Sequence, residues 1–207
     1  GVERLARCIR PGGVFSLWSN DPPDAEYLAV LKGAFDKHDV TLAETLRIAD
    51  YNVLPGVTSD EGEGDDWPRL REKILAHDIL VFGGPIWMGQ IGSIAKRVLE
   101  RMDAFVSETD DEGRMPSYGK VAVAAIVGNE DGAHWSSAQI FQSLNDTGWT
   151  IPAVAACYWV GEAMGSTDFK DLDNTPDKVQ QTANMVAGNA AHLAKLLKNA
   201  PYPGTGD

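Results

Sequence analysis

The chain has 207 residues, 43% of them hydrophobic, with 18 Lys and Arg against 30 Asp and Glu, a formal charge of -12. That length and apolar share suffice to bury one full core, so a single domain is expected. The acidic balance argues against DNA, RNA or an anionic membrane as partner, because affinity for a polyanion comes from Lys and Arg; with no run of about 18 apolar residues and no signal-peptide core at residues 1–4, a soluble, cytoplasmic protein with small-molecule partners is expected.

Residues 13–19 read as a short strand entered through the turn signal Pro11-Gly12-Gly13. Residues 24–35 then place Tyr27, Leu28, Leu31 and Phe35 at helical spacing. Residues 45–48 form a second strand, more polar than a central strand should be because of Glu44 and Arg47. Residues 50–66 are rich in Gly, Asp and Glu and predict a long acidic surface loop, since such a segment buries little apolar area. A helix follows over residues 67–76, with Leu70, Ile74 and Leu75 apolar.

Residues 79–82 (Ile-Leu-Val-Phe) are a continuous apolar run, as expected of a parallel strand covered on both faces. The next helix carries Ile91, Ile94, Ala95, Val98, Leu99, Met102 and Phe105 as an apolar stripe, which assigns Lys96, Arg97, Glu100 and Arg101 to its polar side. Residues 120–127 are a strand, 133–145 a helix and 154–160 the last strand. The final helix opens with Thr175 as a hydroxyl N-cap and Pro176 at its first position. Five strands alternating with about five helices predict a doubly wound, five-stranded parallel sheet with helices on both faces. In such a sheet ligands bind beyond the carboxyl ends of the strands.

Three strand-end loops follow from that rule. In residues 83–90 the glycines admit close backbone approach, Pro85 fixes a dihedral and Trp87 offers a flat surface to a planar ring. The same loop could instead be a connection in which Trp87 and Met88 cap the core. Residues 128–132 (Gly-Asn-Glu-Asp-Gly) lead from a strand into a helix, so their amides can donate to ligand oxygens; an ordinary acidic helix start fits them as well. In the first loop Ser19 and Asn20 can donate hydrogen bonds, but Pro22 and Pro23 remove two amide donors and Asp21 and Asp24 add negative charge. That composition makes a poor phosphate cradle. Cys8 and Cys157 lie far apart, and His38, His77, His134 and His192 are scattered, so buried reduced thiols and no metal template are expected.

Several stretches resemble the flavodoxin-like, NAD(P)H-dependent FMN reductase family over residues 46–198: Arg47-Ile-Ala-Asp-Tyr-Asn52, Ser59-Asp-Glu-Gly62, Asp65-Asp-Trp-Pro68, Gly84-Pro-Ile-Trp-Met-Gly-Gln90, Ala95-Lys-Arg-Val-Leu-Glu-Arg-Met102, Gly128-Asn-Glu-Asp-Gly-Ala-His134 and Tyr158-Trp-Val-Gly161. The resemblance implies that Pro85, Ile86, Trp87, Met88, Gly89 and Gln90 contact the flavin ring and ribityl chain, and that Gly128, Asn129, Glu130, Asp131 and Gly132 flank the ring. It implies FMN as cofactor, NAD(P)H as electron donor, a quinone or free flavin as acceptor, His134 and Trp159 as acceptor-pocket candidates, and a homodimer. No acid–base residue is required, because the cofactor carries the chemistry.

Residues 1–38, especially 10–24, resemble instead a late strand and helix of spermidine-synthase-like methyltransferases, without that family's Gly-rich cofactor loop. The chain thus looks like a recombinant in which a foreign strand–helix unit completes the sheet. Two alternatives stand beside the reductase: a flavodoxin-like scaffold that has lost tight FMN binding, suggested by the first loop, and a one-electron carrier, suggested by the acidic surface.

Overall fold

The computed structural model describes residues 14–18 and 25–205, with side chains from residue 26 onward. Strand β1 (Val14–Trp18) is followed by helix α1 (Ala25–Asp36) and strand β2 (Leu42–Arg47). Helix α2 (Trp67–Leu75) leads to β3 (Ile79–Trp87), the two-residue β4 (Gln90–Ile91) and α3 (Ser93–Arg101), which runs on into a 3-10 turn at Met102–Val106. Then come β5 (Val121–Gly128), α4 (Ala133–Asp146), β6 (Ala156–Val160) and α5 (Asp177–Asn199). The sheet order is β2-β1-β3-β5-β6, all parallel, with β4 antiparallel on the end of β3. This is the doubly wound α/β fold expected from the alternation of elements, in the flavodoxin-like form that the resemblance implies.

The period of two along the strands divides the core between the sheet's faces. Leu80, Phe82, Ala122, Ala124 and Ile126 meet Trp67, Leu70, Ile74, Val98, Leu99 and Ile140 of α2, α3 and α4. On the other face Ile79, Val81, Val121, Val123 and Ala125 meet Tyr27, Leu31, Phe35, Val179 and Val186 of α1 and α5. The polar composition of β2 has a simple cause. It is an edge strand, and alternate residues remain exposed.

Three expectations need correction. The strand predicted over residues 79–82 continues through Trp87, so half of the predicted loop is sheet. Thr175 does not cap α5: Pro176 holds the N-cap position and makes no side-chain cap bond. Arg101 is not on the polar side of its helix but reaches into residues 50–66, the predicted surface loop, and holds it. The Arg101 guanidinium lies 2.7 Å from Asp65, both side chains having no accessible surface. Arg101 also donates to the carbonyls of Leu54 (2.9 Å) and Thr58 (2.9 and 3.1 Å), while Asp65 accepts from the amides of Leu54, Glu61 and Trp67. One buried ion pair thereby supplies the hydrogen bonds that this Gly-rich segment cannot make to itself. Burial works against the Asp65 carboxylate, but the Arg101 contact and the three amides outweigh it and hold the carboxyl down to about 2.

Cys157 is a free, buried thiol on β6, and Cys8 lies outside the described residues. Burial pushes the Cys157 thiol up to about 11, against an opposing hydrogen bond from Tyr27. A Cys8→Ser variant should therefore show no native reaction with Ellman's reagent at pH 8 and full reaction once unfolded. Rapid native labelling would contradict the buried placement.

Candidate functional site

The carboxyl ends of β3, β5 and β6 converge on three loops. Pro85 can sit in β3 because β1 pairs with β3 only as far as Gly83, so at Pro85 the ladder continues only toward β5 among the described strands. Two residues later the chain reverses. Met88 (φ 53°) and Gly89 (φ 74°) are the central residues of a two-residue hairpin, with Trp87 paired to Gln90 and Ile86 to Ile91. A left-handed backbone suits Gly89 and is uncommon for Met88.

The second loop grips this hairpin. The Met88 amide donates to Glu130 Oε1 at 2.7 Å, and a Cβ built on Gly132 (φ 128°) would lie 2.5 Å from the Gly89 carbonyl oxygen. Gly128 lies over Ile86, whose Cβ would be 2.9 Å from a Gly128 side chain. The third loop is joined in turn: Gly161 N–H donates to the Gly128 carbonyl at 3.0 Å and Asn129 Nδ2 to Asp168 Oδ1 at 3.1 Å. The result is a rim of three stitched loops, pre-organised rather than assembled on binding.

The sequence-predicted residues are distributed around that rim as follows. Trp87 (55% exposed) and Met88 (89% exposed) are open to a ligand and do not cap the core. Pro85 and Gly89 are half-buried and Gln90 is exposed, whereas the Ile86 side chain is taken up by the core beneath Gly128. Gly128 and Gly132 supply close backbone approach, Glu130 is committed to the Met88 amide, and Asp131 accepts from the Gly132 amide at 2.7 Å. Ser19 and Asn20 lie outside the described residues.

His134 and Trp159 are not brought together. The ring of Trp159 packs edge-on to Phe169, 5.6 Å between centroids, on the α1/α5 face. His134, in the first turn of α4, makes a 3.0 Å hydrogen bond to the Tyr158 hydroxyl on the opposite face. Sequence reasoning did not single out Tyr158, the residue the structure brings to His134. The signal available was its alternation with Trp159 on one strand, which sends the two rings to opposite faces. No cluster of His, Cys, Asp and Glu able to hold a metal ion occurs among the described residues.

The donor set suits a planar, electron-accepting ring. Trp87 offers a flat apolar surface, glycines at 89, 128 and 132 keep side chains out of the way, and the amides of Asn129, Glu130 and Asp131 have no acceptor among the described residues. Residues 26–163 match the NADPH-dependent FMN reductase family. The chain belongs to that family. The flavodoxin-like fold and the flavin-related family agree with one another, and the family's own description names FMN and NADPH.

Two relatives extend the match. The chain is 34% identical over 171 residues to the 8-demethyl-8-aminoriboflavin-5'-phosphate synthase of Streptomyces davaonensis, covering 77% of this chain and 66% of that protein. It is 34% identical over 173 residues to the divalent metal cation transporter MntH of Mycobacterium bovis, covering 80% of this chain and 25% of the transporter. It thus spans a quarter and just under two thirds of these relatives' lengths. Among solved structures, RosB with the bound intermediate 8-demethyl-8-formylriboflavin-5'-phosphate superimposes with a TM-score of 0.79 at 25% identity, over 92% of this chain and 82% of RosB.

Proposed function

We propose that this chain binds FMN at the stitched rim and passes a hydride from NAD(P)H, through the flavin, to a small quinone or flavin acceptor. The observation that carries this reading is the interlock of the 88–89 hairpin with residues 128–132, which fixes a glycine-lined edge beside the exposed Trp87. Bound FMN supplies the two-electron chemistry. The chain's own groups would set its position: Trp87 would offer its face to the ring, and the amides of residues 129–131 could donate to ring heteroatoms. A single flavodoxin-like domain, a cytoplasmic location and a homodimer belong to the same reading; no helix among the described residues is long and apolar enough to cross a membrane.

Strand β1, which falls within the segment read as methyltransferase-like, is an interior strand between β2 and β3. Purified protein should be yellow or take up added FMN, and the flavin absorbance should bleach on anaerobic addition of NADPH or NADH. A colourless protein that does not take up FMN would overturn the proposal.

A second reading is favoured by the synthase relative and by RosB, whose bound intermediate is itself a modified flavin phosphate. On that reading FMN is substrate and not cofactor. Mass analysis of FMN after aerobic incubation separates the two: unchanged FMN supports the reductase, and a product altered at the 8-methyl position supports flavin modification.

A further inference from the structure

The hydrogen-bonded pair His134–Tyr158 is not needed to hold the fold. His134 is exposed and Tyr158 only half-buried, so their 3.0 Å bond exchanges freely with water and adds little stability. Its geometry is nevertheless well defined. The imidazole stands edge-on to the phenol at 84°, with centroids 5.3 Å apart, while the Tyr158 ring packs against the α2–α4 core. Tyr158 lies beside Ile126 in the sheet, and His134 follows Gly132, the residue pressed against Gly89, by two positions. The pair therefore stands next to the interlocked rim. The same loops and helix start carry exposed apolar side chains, Trp87, Met88 and Trp135.

We propose that the Tyr158 hydroxyl, positioned by His134, anchors a carbonyl oxygen of a planar aromatic acceptor and protonates it during reduction. This rests on the reductase reading and names the acceptor class and the residue that recognises it. With Nε2 carrying its hydrogen, His134 donates to the Tyr158 oxygen and leaves the hydroxyl hydrogen for an outside acceptor. Quinone reduction takes one hydride, two electrons with one proton, and needs one further proton to complete the hydroquinone. NAD(P)H is oxidised by the same two electrons. Tyr158 gives its proton to the quinone oxygen, His134 gives its proton to the resulting phenolate, and water restores His134. The balance is NAD(P)H plus quinone plus one proton giving NAD(P)+ plus hydroquinone. Tyr158 is thus the catalytic residue and His134 a positioning one.

Tyr158→Phe keeps the ring and removes only the hydroxyl. The test compares menadione with 2-methylnaphthalene, its hydrocarbon counterpart, by quenching of tryptophan fluorescence in the full chain without added flavin. It then compares menadione with ferricyanide, an acceptor of single electrons and no proton, in turnover of the FMN-loaded protein. The variant should bind menadione about tenfold more weakly and 2-methylnaphthalene unchanged. It should reduce menadione about a hundredfold more slowly and ferricyanide within twofold of the parent. His134→Ala should show a smaller loss of the same kind, and the double variant no more than Tyr158→Phe alone. Equal loss with both ligands or both acceptors, or no loss in either, would overturn the proposal. Tyr158-dependent menadione binding in a protein that NAD(P)H does not reduce would instead overturn the reductase reading and leave the anchor standing.

Discussion

Asp65→Asn is expected to destabilise the protein by about 3–5 kcal/mol, lowering its melting temperature by roughly 10 °C for a chain of this size. The Arg101 guanidinium has no accessible surface, so neutralising Asp65 leaves a buried cation with carbonyl partners only. The substituted carboxamide would also turn its NH2 either toward the Leu54 and Trp67 amides, which bond one carboxylate oxygen, or toward the Glu61 amide and Arg101, which bond the other. Residues 52–66 should loosen first, and limited proteolysis would cut there before anywhere else. Acid should reproduce part of the effect. The Asp65 carboxyl is held at about 2 in the folded state against 3.8 ordinarily. Its contribution, about 2 kcal/mol, is complete above pH 4 and is lost as the pH falls from 4 to 2. The gap in melting temperature between parent and variant should narrow across that window; a constant gap would show that the ion pair does not set the loop's stability.

This ion pair also shows where sequence reasoning ended. The strands and helices were legible because period-2 and period-3.6 apolar patterns respond to burial on the chain's own faces. The doubly wound parallel class followed from their alternation, and its flavodoxin-like character from the family resemblance. Arg101 was misassigned because a charge on an amphipathic helix ordinarily faces water, and nothing local announces a carboxylate 36 residues upstream that will neutralise it. The extension of β3 to Trp87 was hidden for a related reason. Gly83, Gly84 and Pro85 read as breakers, yet pairing with β5 as far as Pro85, together with the hairpin to β4, holds them extended. At the site, loop composition singled out residues 83–90 and 128–132. Their interlock was not legible, because a glycine's sequence position does not reveal which backbone will press against it. The same holds for Tyr158, whose partner His134 comes from a different element.

That interlock makes Gly132→Ala the sharpest probe of the ring end of the site. The added methyl would lie 2.5–2.6 Å from the O, C and Cα of Gly89, and the backbone there has φ 128°, which side chains rarely adopt. Backbone atoms cannot swing aside as a side chain end can. Either the 88–89 hairpin moves and the Met88 to Glu130 bond breaks, or the start of α4 shifts. Strain of this kind costs about 1–3 kcal/mol, so FMN affinity should fall roughly 10- to 100-fold while the melting temperature drops only a few degrees. Gly89→Ala is the matched control: φ 74° imposes backbone strain there too, but its methyl would meet nothing closer than the Asp131 carbonyl at 3.9 Å, so the interlock is not wedged apart and the loss should be several-fold smaller. Riboflavin titrated in parallel identifies which end of the cofactor has been disturbed. Damage at the ring weakens riboflavin and FMN by the same factor and leaves their ratio unchanged, whereas damage at a phosphate site weakens FMN alone. In the parent protein that ratio also reports on the first loop. With Pro22 and Pro23 lacking amide donors and Asp21 and Asp24 adding negative charge, each missing charge-assisted hydrogen bond removes about 1.5–3 kcal/mol of preference for FMN. A ratio near one would place nearly all of the binding energy at the Trp87–Gly132 rim, and a large ratio would show that Ser19, Asn20 or the neighbouring amides hold the phosphate.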